Sequence, residues 1–194
     1  MFYRPEHGHG LPHNPFNAIV SPRPIGWISS RGSAGDNLAP YSFFNAIAYV
    51  PPQVMFSSTG PKDSLANVRE TGVFAVNIVE YAAREAMNAS SAAVAQAVDE
   101  FALADVPKAE CETIPCPRVA GAPATLECRV TQIIALPGKV NVLVLGEVRG
   151  IHLRDDCLVE GRFDVTRYAP LARLGYSDYA AVREVFAMAR PGER

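Results

Sequence analysis

The amino-acid sequence predicts a mostly β domain with helices at its periphery. Sixteen prolines and fourteen glycines separate short apolar runs, a pattern that is typical of short strands joined by turns. Six of these runs have the composition of strands, which is enough to close a barrel. A chain of 194 residues buries one sizeable core but is short for two, so we expect a single domain over residues 1–194.

The six predicted strands are apolar runs bounded by turn residues. The most regular strand has alternating apolar and polar residues, so one of its faces should be buried. The run that follows it is almost continuously apolar and is interrupted by Gly146, as in a strand that bends. Pro137 and Gly138 predict a hairpin turn between these two strands. In chain order, the predicted strands are Ala18–Ser29, Ser42–Ala48, Gln53–Ser57, Val73–Val79, Leu126–Ile133 and Val140–Val148.

Two internal helices and a C-terminal helix are predicted around the strands. The first begins at Lys62 or Asp63 and ends near Glu70, before a glycine. The second is the alanine-rich stretch Tyr81–Val98, which has high helix propensity. Apolar residues at helical spacing in the tail predict a C-terminal helix over residues 179–190.

An N-terminal arm, residues 1–13, precedes the first predicted strand and is rich in proline and glycine. Its three histidines could imitate a metal cluster, but solvent-exposed loop residues are the better interpretation, so we predict no metal site. These histidines are His7, His9 and His13.

The composition argues against several functional classes. A formal net charge of −2 produces no strong field for nucleic acid or an anionic membrane. No apolar stretch approaches the roughly 20 residues of a membrane span, and the first residues lack the apolar core of a signal peptide, so we expect a cytoplasmic protein. The four cysteines have neither C-x-x-C nor metal-finger spacing, which favours free thiols. Rossmann, P-loop and serine-hydrolase motifs are also missing from the sequence.

A polar turn at Ser57–Ser64 is a candidate anion site. It supplies successive hydroxyls, a glycine and a lysine at the start of a helix, whose first N–H groups lack intrahelical partners. Oriented N–H dipoles and an ammonium group favour a phosphate at such a place. The alternative is an ordinary capped helix, in which Asp63 or Ser64 bonds a backbone N–H and Lys62 is solvated.

The aromatic stretch around Tyr41 is the second candidate for ligand contact. Tyr41, Phe43 and Phe44 could line a flat ligand, since aromatic walls suit planar rings. Equally, they could belong to the core. The residues alone leave both interpretations open.

Several ordered motifs resemble the flavin reductase-like family with the FMN-binding split barrel. They are NPFNAIVSPRPIGWISS, NLAPYSFF, PPQVMFSS and KDSLANVRETGVFAVN, followed by EFALADV, APATLECRVTQI, VLGEVRGIHLRDD and LARLGYSDYA. The resemblance extends from Asn14 to Pro191. It implies a six-stranded split barrel that binds FMN, less often FAD, without a covalent bond and near the interface of a homodimer.

The resemblance also implies which residues contact the flavin. Ser29 and Ser30 would lie beside it, and His152 resembles a histidine that several members carry near the nicotinamide side, although a structural role is the alternative. Tyr176 stands where many relatives have a second glycine, so the role of Arg173–Tyr179 stays undetermined. Ring and ribityl contacts would come from Asn37, Leu38, Ala39, Pro40, Tyr41, Ser42 and Phe43, and phosphate contacts from Ser57, Ser58, Lys62, Asp63 and Ser64.

As a function, the resemblance implies an NAD(P)H-dependent flavin reductase. Hydride would pass from the nicotinamide to the flavin, and electrons would leave on free flavin or to a partner monooxygenase or another redox partner. One alternative is a flavoredoxin-like, FMN-binding electron carrier without nicotinamide turnover. Another keeps the barrel but exchanges the ligand for pyridoxal phosphate or haem.

Overall fold

A computed structural model of the chain describes residues 1–96, 98–138 and 140–192. Strands predominate over helices in these ranges, which confirms the prediction of a mostly β protein. The strands are β1 (Arg23–Pro24), β2 (Gly26–Gly32), β3 (Gly35–Tyr41), β4 (Phe44–Tyr49), β5 (Pro52–Thr59), β6 (Val73–Ile78), β7 (Lys108–Glu110), β8 (Pro117–Val119), β9 (Ala124–Ala135), β10 (Asn141–Leu153), β11 (Leu158–Val159), β12 (Arg162–Phe163), β13 (Leu171–Arg173) and β14 (Tyr179–Ala181). The α-helices are α1 (Phe16–Ile19), α2 (Asp63–Thr71), α3 (Arg84–Ala89) and α4 (Glu100–Leu103), and 3-10 turns occupy Pro5–His7, Tyr81–Ala83, Asp155–Cys157 and Val165–Arg167. Among the described helices, none has the length and apolarity that a bilayer crossing requires.

The main sheet is antiparallel and has the strand order β3-β2-β6-β9-β10-β5-β4. β3 and β4 lie at opposite edges of this sheet, yet only Ser42 and Phe43 separate them in the sequence. The sheet must therefore curl until its edges approach each other. Consistent with this curl, the rings of Tyr41 on β3 and Phe56 on β5 pack with their centroids 4.9 Å apart. No ladder joins β3 to β4 among the described residues, so the curled sheet is open along this line.

The sheet contains seven strands rather than the predicted six, because β3 was not predicted as a strand. Residues 35–41 include glycine, asparagine and proline, which have low strand propensity. Pairing with β2 nevertheless extends them, with register from Gly26 opposite Tyr41 to Gly32 opposite Gly35. The ion pair between Arg31 and Asp36, 2.6 Å long, closes the end of this hairpin.

The predicted strand Ala18–Ser29 is wrong in its first half. Residues before Arg23 form α1 and an irregular link, and the strand is divided into β1 and β2. Prolines on both sides of Arg23 have no N–H to give to a ladder. The Arg23 guanidinium instead ties the segment together, because it donates to the carbonyl oxygens of Asn17, Val20 and Leu174.

The other predicted strands are present with shifted ends. β4, β5 and β6 each agree with their predictions to within two residues. β9 and β10 are longer than predicted, and the turn between them is confirmed, because Leu136 N donates to Asn141 O at 2.9 Å. The register of β9 against β10 shifts at Gly146, where a Cβ atom would lie 2.6 Å from Phe74 Cζ. The bend at this glycine is therefore also confirmed.

Two of the three helix predictions are wrong. The helix that begins at Asp63 is confirmed as α2, and it ends at a left-handed Gly72. The stretch Tyr81–Val98 is instead a 3-10 turn, the short helix α3 and an irregular segment, with Ala97 outside the described residues. In the tail, residues 179–181 form β14, which pairs with β13, and residues 182–190 contain no helix.

The buried apolar residues form two main clusters on opposite sides of β2. One fills the inside of the curled sheet below α2 and includes Phe56 and Phe74. The other lies on the outer side of β2 and includes Trp27, Leu38 and Phe101. The second cluster holds α3 and α4 against β3, which places the segment between these two helices next to the start of α2.

Candidate functional site

A cleft of about 360 Å³ lies between the end of β3, the start of α2 and the segment that joins α3 to α4. Several residues that the sequence predicts as flavin contacts line it, and so do residues from the joining segment and α4. The predicted residues are Asn37, Ala39, Pro40, Lys62, Asp63 and Ser64, and the remaining lining residues are Pro61, Ser90, Ser91, Ala92, Ala93, Val94, Gln96 and Glu100. The structure thus brings the two polar regions of the sequence together in one cleft.

The first turn of α2 faces this cleft without a side-chain cap. Lys62 has extended backbone dihedrals and occupies the N-cap position, where its side chain makes no capping hydrogen bond. The alternative of an ordinary helix capped by Asp63 or Ser64 is not what the structure has, because Ser64 Oγ donates to Asn37 Oδ1 instead. The first N–H groups of a helix have no intrahelical acceptors, so this end of α2 can bind an anion.

Lys62 adds a positive charge at the same place. Its ammonium lies 5.4 Å from the centroid of the Tyr41 ring, and its side chain is exposed to solvent. Among the residues that the structure describes, Lys62 forms no ion pair. A cation that is held over an aromatic ring but not neutralised by a carboxylate is available to a ligand.

Two buried hydroxyls near Lys62 lack hydrogen-bond partners among the described residues. They are the Tyr41 hydroxyl and Ser58 Oγ, on side chains that are almost fully buried. Burial raises the pKa of the Tyr41 phenol. Buried polar groups normally have partners, but neither Tyr41 nor Ser58 lines the cleft, so these two hydroxyls lie behind the site rather than in it.

A buried carboxylate fixes the floor of the cleft. Glu100 is only 5% exposed, and its oxygens accept hydrogen bonds from Asn37 Nδ2 at 2.9 Å and from Leu38 N at 3.1 Å. Burial raises the pKa of Glu100, and the bond from Leu38 N partly offsets that effect. Asn37 turns its Nδ2 toward the Glu100 oxygens and its Oδ1 toward the Ser64 hydroxyl. The carboxylate therefore orients both side chains.

Sequence reasoning missed Glu100 and the segment before it. α3 ends at Ala89 because the hydroxyls of the next two serines bond back to the helix, Ser90 Oγ to Met87 O and Ser91 Oγ to Asn88 O. Trp27 Nε1 also donates to Ser90 Oγ at 2.8 Å. Paired serines that compete for helix carbonyls are a signal of helix termination. This signal could have predicted the break and the return of the chain over the cleft.

Ser29 and Ser30 do not line the cleft. Both are fully buried in β2. Ser29 Oγ donates to Pro117 O at 2.7 Å and accepts from Asn77 Nδ2 at 3.0 Å, and Ser30 Oγ accepts from Asn67 Nδ2 at 3.3 Å. Their hydroxyls are thus engaged in joining β2 to its neighbours.

The remaining predicted flavin residues lie around the cleft rather than in its lining. Leu38 is a core residue whose N–H reaches Glu100. Ser42 and Phe43 form the link from β3 to β4, where the Phe43 ring lies 5.8 Å from the Arg23 guanidinium carbon. Ser57 is half-buried on β5, on the opposite face from Ser58.

His152 lies outside the cleft lining and is bound to a buried carboxylate. Its Nε2 is 2.5 Å from Glu127 Oε1. Glu127 is fully buried and also accepts from the N–H groups of Glu112 and Thr113, and these bonds outweigh its burial and lower its pKa to about 2. In this structure His152 belongs to the anchor of the loop between β7 and β8.

The segment Arg173–Tyr179 borders a different cavity, of about 440 Å³, at the other end of α3. The arginines of this cavity are stacked on its tyrosines, Arg84 on Tyr81 and Arg173 on Tyr179. Although this cavity is larger, the helix that begins beside it, α3, has only six residues, and the N–H of its first residue already donates to Tyr81 O. The smaller cleft is therefore the better candidate site.

Comparisons with known proteins identify the family and support the fold. Residues 20–172 match the flavin reductase like domain. An uncharacterized protein of Deinococcus radiodurans is 35% identical over 187 residues, which cover 89% of this chain and 82% of that protein. Nitrilotriacetate monooxygenase component B from Bacillus cereus has a TM-score of 0.85 and 28% identity, over 93% of this chain and 100% of that one. A split barrel domain structure from Shewanella frigidimarina NCIMB 400 has a TM-score of 0.84 at 17% identity, over 91% of this chain and 90% of that one, which supports the fold alone. On the family match and the identity to the Deinococcus protein, the chain belongs to the flavin reductase-like family.

Proposed function

We propose that the chain binds FMN, or less often FAD, in the cleft and is an NAD(P)H-dependent flavin reductase. The observation that carries this proposal is the uncapped start of α2 with the Lys62 ammonium beside it. Helix N–H groups and an unpaired ammonium together match a phosphate. The family supplies the expectation of a flavin, and the chemistry of the cleft fits its phosphate end.

The phosphate end would be held by α2 and its surroundings. The N–H groups at the start of α2 and the Lys62 ammonium would bind phosphate oxygens. Asn37, oriented by Glu100, would hold Ser64 in place behind them.

The ring end would lie against the apolar part of the cleft. Ala39 and Pro40 on β3 face Ala92, Ala93 and Val94 across it. Small apolar side chains and a proline suit one face of a planar ring. When bound, the flavin accepts a hydride and passes its electrons on. The chain's own contribution is to bind and orient the flavin, not to move a proton.

We also propose that the acceptor of the electrons is free flavin or a partner monooxygenase. The similarity to component B of nitrilotriacetate monooxygenase, at 28% identity over nearly the whole chain, supports a partner of this kind. NADH and NADPH are both candidate donors. The sequence has no dinucleotide-binding fingerprint that would indicate one of them over the other.

A homodimer with the flavin near its interface is part of the proposal. β4 is an edge strand, and its residues after Phe44 are all exposed. Tyr49, the last residue of β4, is 90% exposed, and Val50, in the turn that follows, is 84% exposed. Exposed apolar groups that follow one another on an edge strand mark an interaction surface, and a second copy of the chain would cover them.

The experiment is a titration of the purified protein with FMN, FAD and riboflavin, followed by assays with NADH and NADPH. FMN binding together with consumption of either donor, dependent on flavin, is expected. Tight FMN binding without nicotinamide turnover, but with fast electron exchange with another redox protein, would favour the electron-carrier function. An absorbance spectrum of haem or pyridoxal phosphate instead of flavin would overturn the proposal.

A further inference from the structure

Two cysteines lie opposite each other at the end of the hairpin formed by β7 and β8. The register of this hairpin runs from Lys108 opposite Val119 to Glu110 opposite Pro117. One step further, the same register places Cys111 opposite Cys116. Cys111 N donates to Cys116 O at 3.0 Å, which confirms that the pairing continues to these residues.

The positions are close to those of a disulfide, and closure requires only that the two Cβ atoms approach to about 3.5–4.5 Å. Side chains of directly opposed residues in antiparallel strands point to the same face, with Cβ atoms about 4.5–5.5 Å apart. The Cα separation of such a pair is within the range of about 4.4–6.8 Å that disulfides have. Both side chains pack in one small cluster with Ile114.

The loop between the two cysteines is held in place. Glu127, from β9, accepts hydrogen bonds from Glu112 N at 2.7 Å and from Thr113 N at 2.6 Å. The Thr113 hydroxyl donates to the same carboxylate at 2.5 Å. Anchoring the loop prevents the two strands from separating at this end, so the thiols stay opposite each other.

The two thiols differ in access to solvent. Cys111 is half-buried, whereas Cys116 is fully buried and its Sγ lies 3.3 Å from Ser29 O. An oxidant in solution therefore reaches Cys111 first, and Cys116 is the nearby thiol that can react with the product. The other two cysteines, Cys128 and Cys157, are buried and have no cysteine opposite them in a strand pair of the described residues.

We propose that Cys111 and Cys116 are a redox-active pair that closes to an intramolecular disulfide when the protein is exposed to hydrogen peroxide. The Cys111 sulfur attacks one peroxide oxygen, the O–O bond breaks, and a sulfenic acid and one water are formed. The Cys116 sulfur then attacks the Cys111 sulfur, the S–O bond breaks, and the second water leaves with the Cys116 proton. Two thiols lose two electrons and two protons, and one peroxide is reduced to two waters. A dithiol reductant reverses the reaction.

The chain permits a direct test by peptide mass. Trypsin cleaves after Lys108 and Arg118, so both cysteines fall on one peptide, residues 109–118. The folded protein is treated with hydrogen peroxide, the remaining thiols are alkylated, and the protein is digested. We expect this peptide to lose two hydrogen atoms and to escape alkylation, and to be more abundant than any cross-link to Cys128 or Cys157. Reduction with dithiothreitol before alkylation should restore two alkylated sites.

Two variants sharpen the result. In Cys116→Ser, Cys111 should accumulate as a sulfenic acid that dimedone traps, and the cross-link should vanish. In Cys157→Ser, the matched control, the cross-link should form as in the parent. A parent protein in which Cys111 is oxidised to a sulfinic acid without cross-linking, or pairs with Cys128, would overturn the proposal. Because this outcome is read in the parent protein, the test does not depend on how the variants fold.

Discussion

Removal of the Lys62 ammonium is the sharpest test of the phosphate position. In Lys62→Ala, the charge over the Tyr41 ring disappears while the N–H groups at the start of α2 remain. Hydrogen bonds to charged groups contribute about 1.5–3 kcal/mol. Lys62 is exposed, and solvent screens exposed charges, so we expect the lower end of this range, or about a tenfold rise in the Kd for FMN.

The assay is a fluorescence titration with FMN and, in parallel, with riboflavin, which carries no phosphate. Only FMN should lose affinity in Lys62→Ala, and the loss should shrink as salt is added. Arg69→Ala is the matched control, because it removes one positive charge from the same helix at its last turn. Arg69 is about 10 Å further along the helix axis, which is close to a Debye length at physiological salt.

The result that would refute the reasoning is an equal loss for FMN and riboflavin. In that case Lys62 would act on the ring end or on the fold, and the start of α2 would not be the phosphate site. An equal effect of Arg69→Ala on FMN would refute it as well, since the effect would then depend on net charge rather than on position.

Three further predictions concern stability and assembly. Gly146→Ala should lower the free energy of unfolding in urea by about 1–3 kcal/mol, because its new methyl group would overlap the Phe74 ring; an unchanged midpoint would contradict the close approach of Phe74 to this bend. The pKa of Glu127 is lowered from 4.5 to about 2 in the folded protein. Its contribution to the free energy of unfolding, roughly 3 kcal/mol, is therefore present above pH 4.5 and is lost as the pH falls toward 2. Urea titrations from pH 7 to 2.5 should show this loss in the parent and a flatter pH profile in Glu127→Gln. Finally, the double variant Tyr49→Glu with Val50→Glu should be monomeric in light scattering, whereas a dimer of unchanged mass would show that the interface lies elsewhere.

Local sequence patterns correctly predicted the elements whose structure depends on their own residues. The hairpin of β9 and β10 was predicted because alternation and a Pro-Gly turn are contained in the hairpin itself. The same holds for α2, whose start and whose terminal Gly72 are local signals. The start of α2 was also the part of the candidate site that the residues indicated without any family comparison.

Elements that depend on a partner could not be predicted in this way. β3 contains residues that disfavour strands, and it is extended by pairing with β2. The tail has helical spacing, but backbone hydrogen bonds to β13 convert Tyr179–Ala181 to a strand. Glu100 is remote from Asn37 in the sequence, so its role in the cleft follows only from the folding of α4 against β3.

The short link of Ser42 and Phe43 has a mechanical consequence. Three peptide units span at most about 11 Å, so the two edges of the sheet cannot separate further than this at the end marked by Tyr41 and Phe44. Any widening of the curled sheet therefore has to occur at its opposite end, where no short link joins the two edge strands. Pro40, which lines the cleft, is next to the linked end of the sheet. The residues that would hold the flavin therefore lie where the sheet is least free to change its shape.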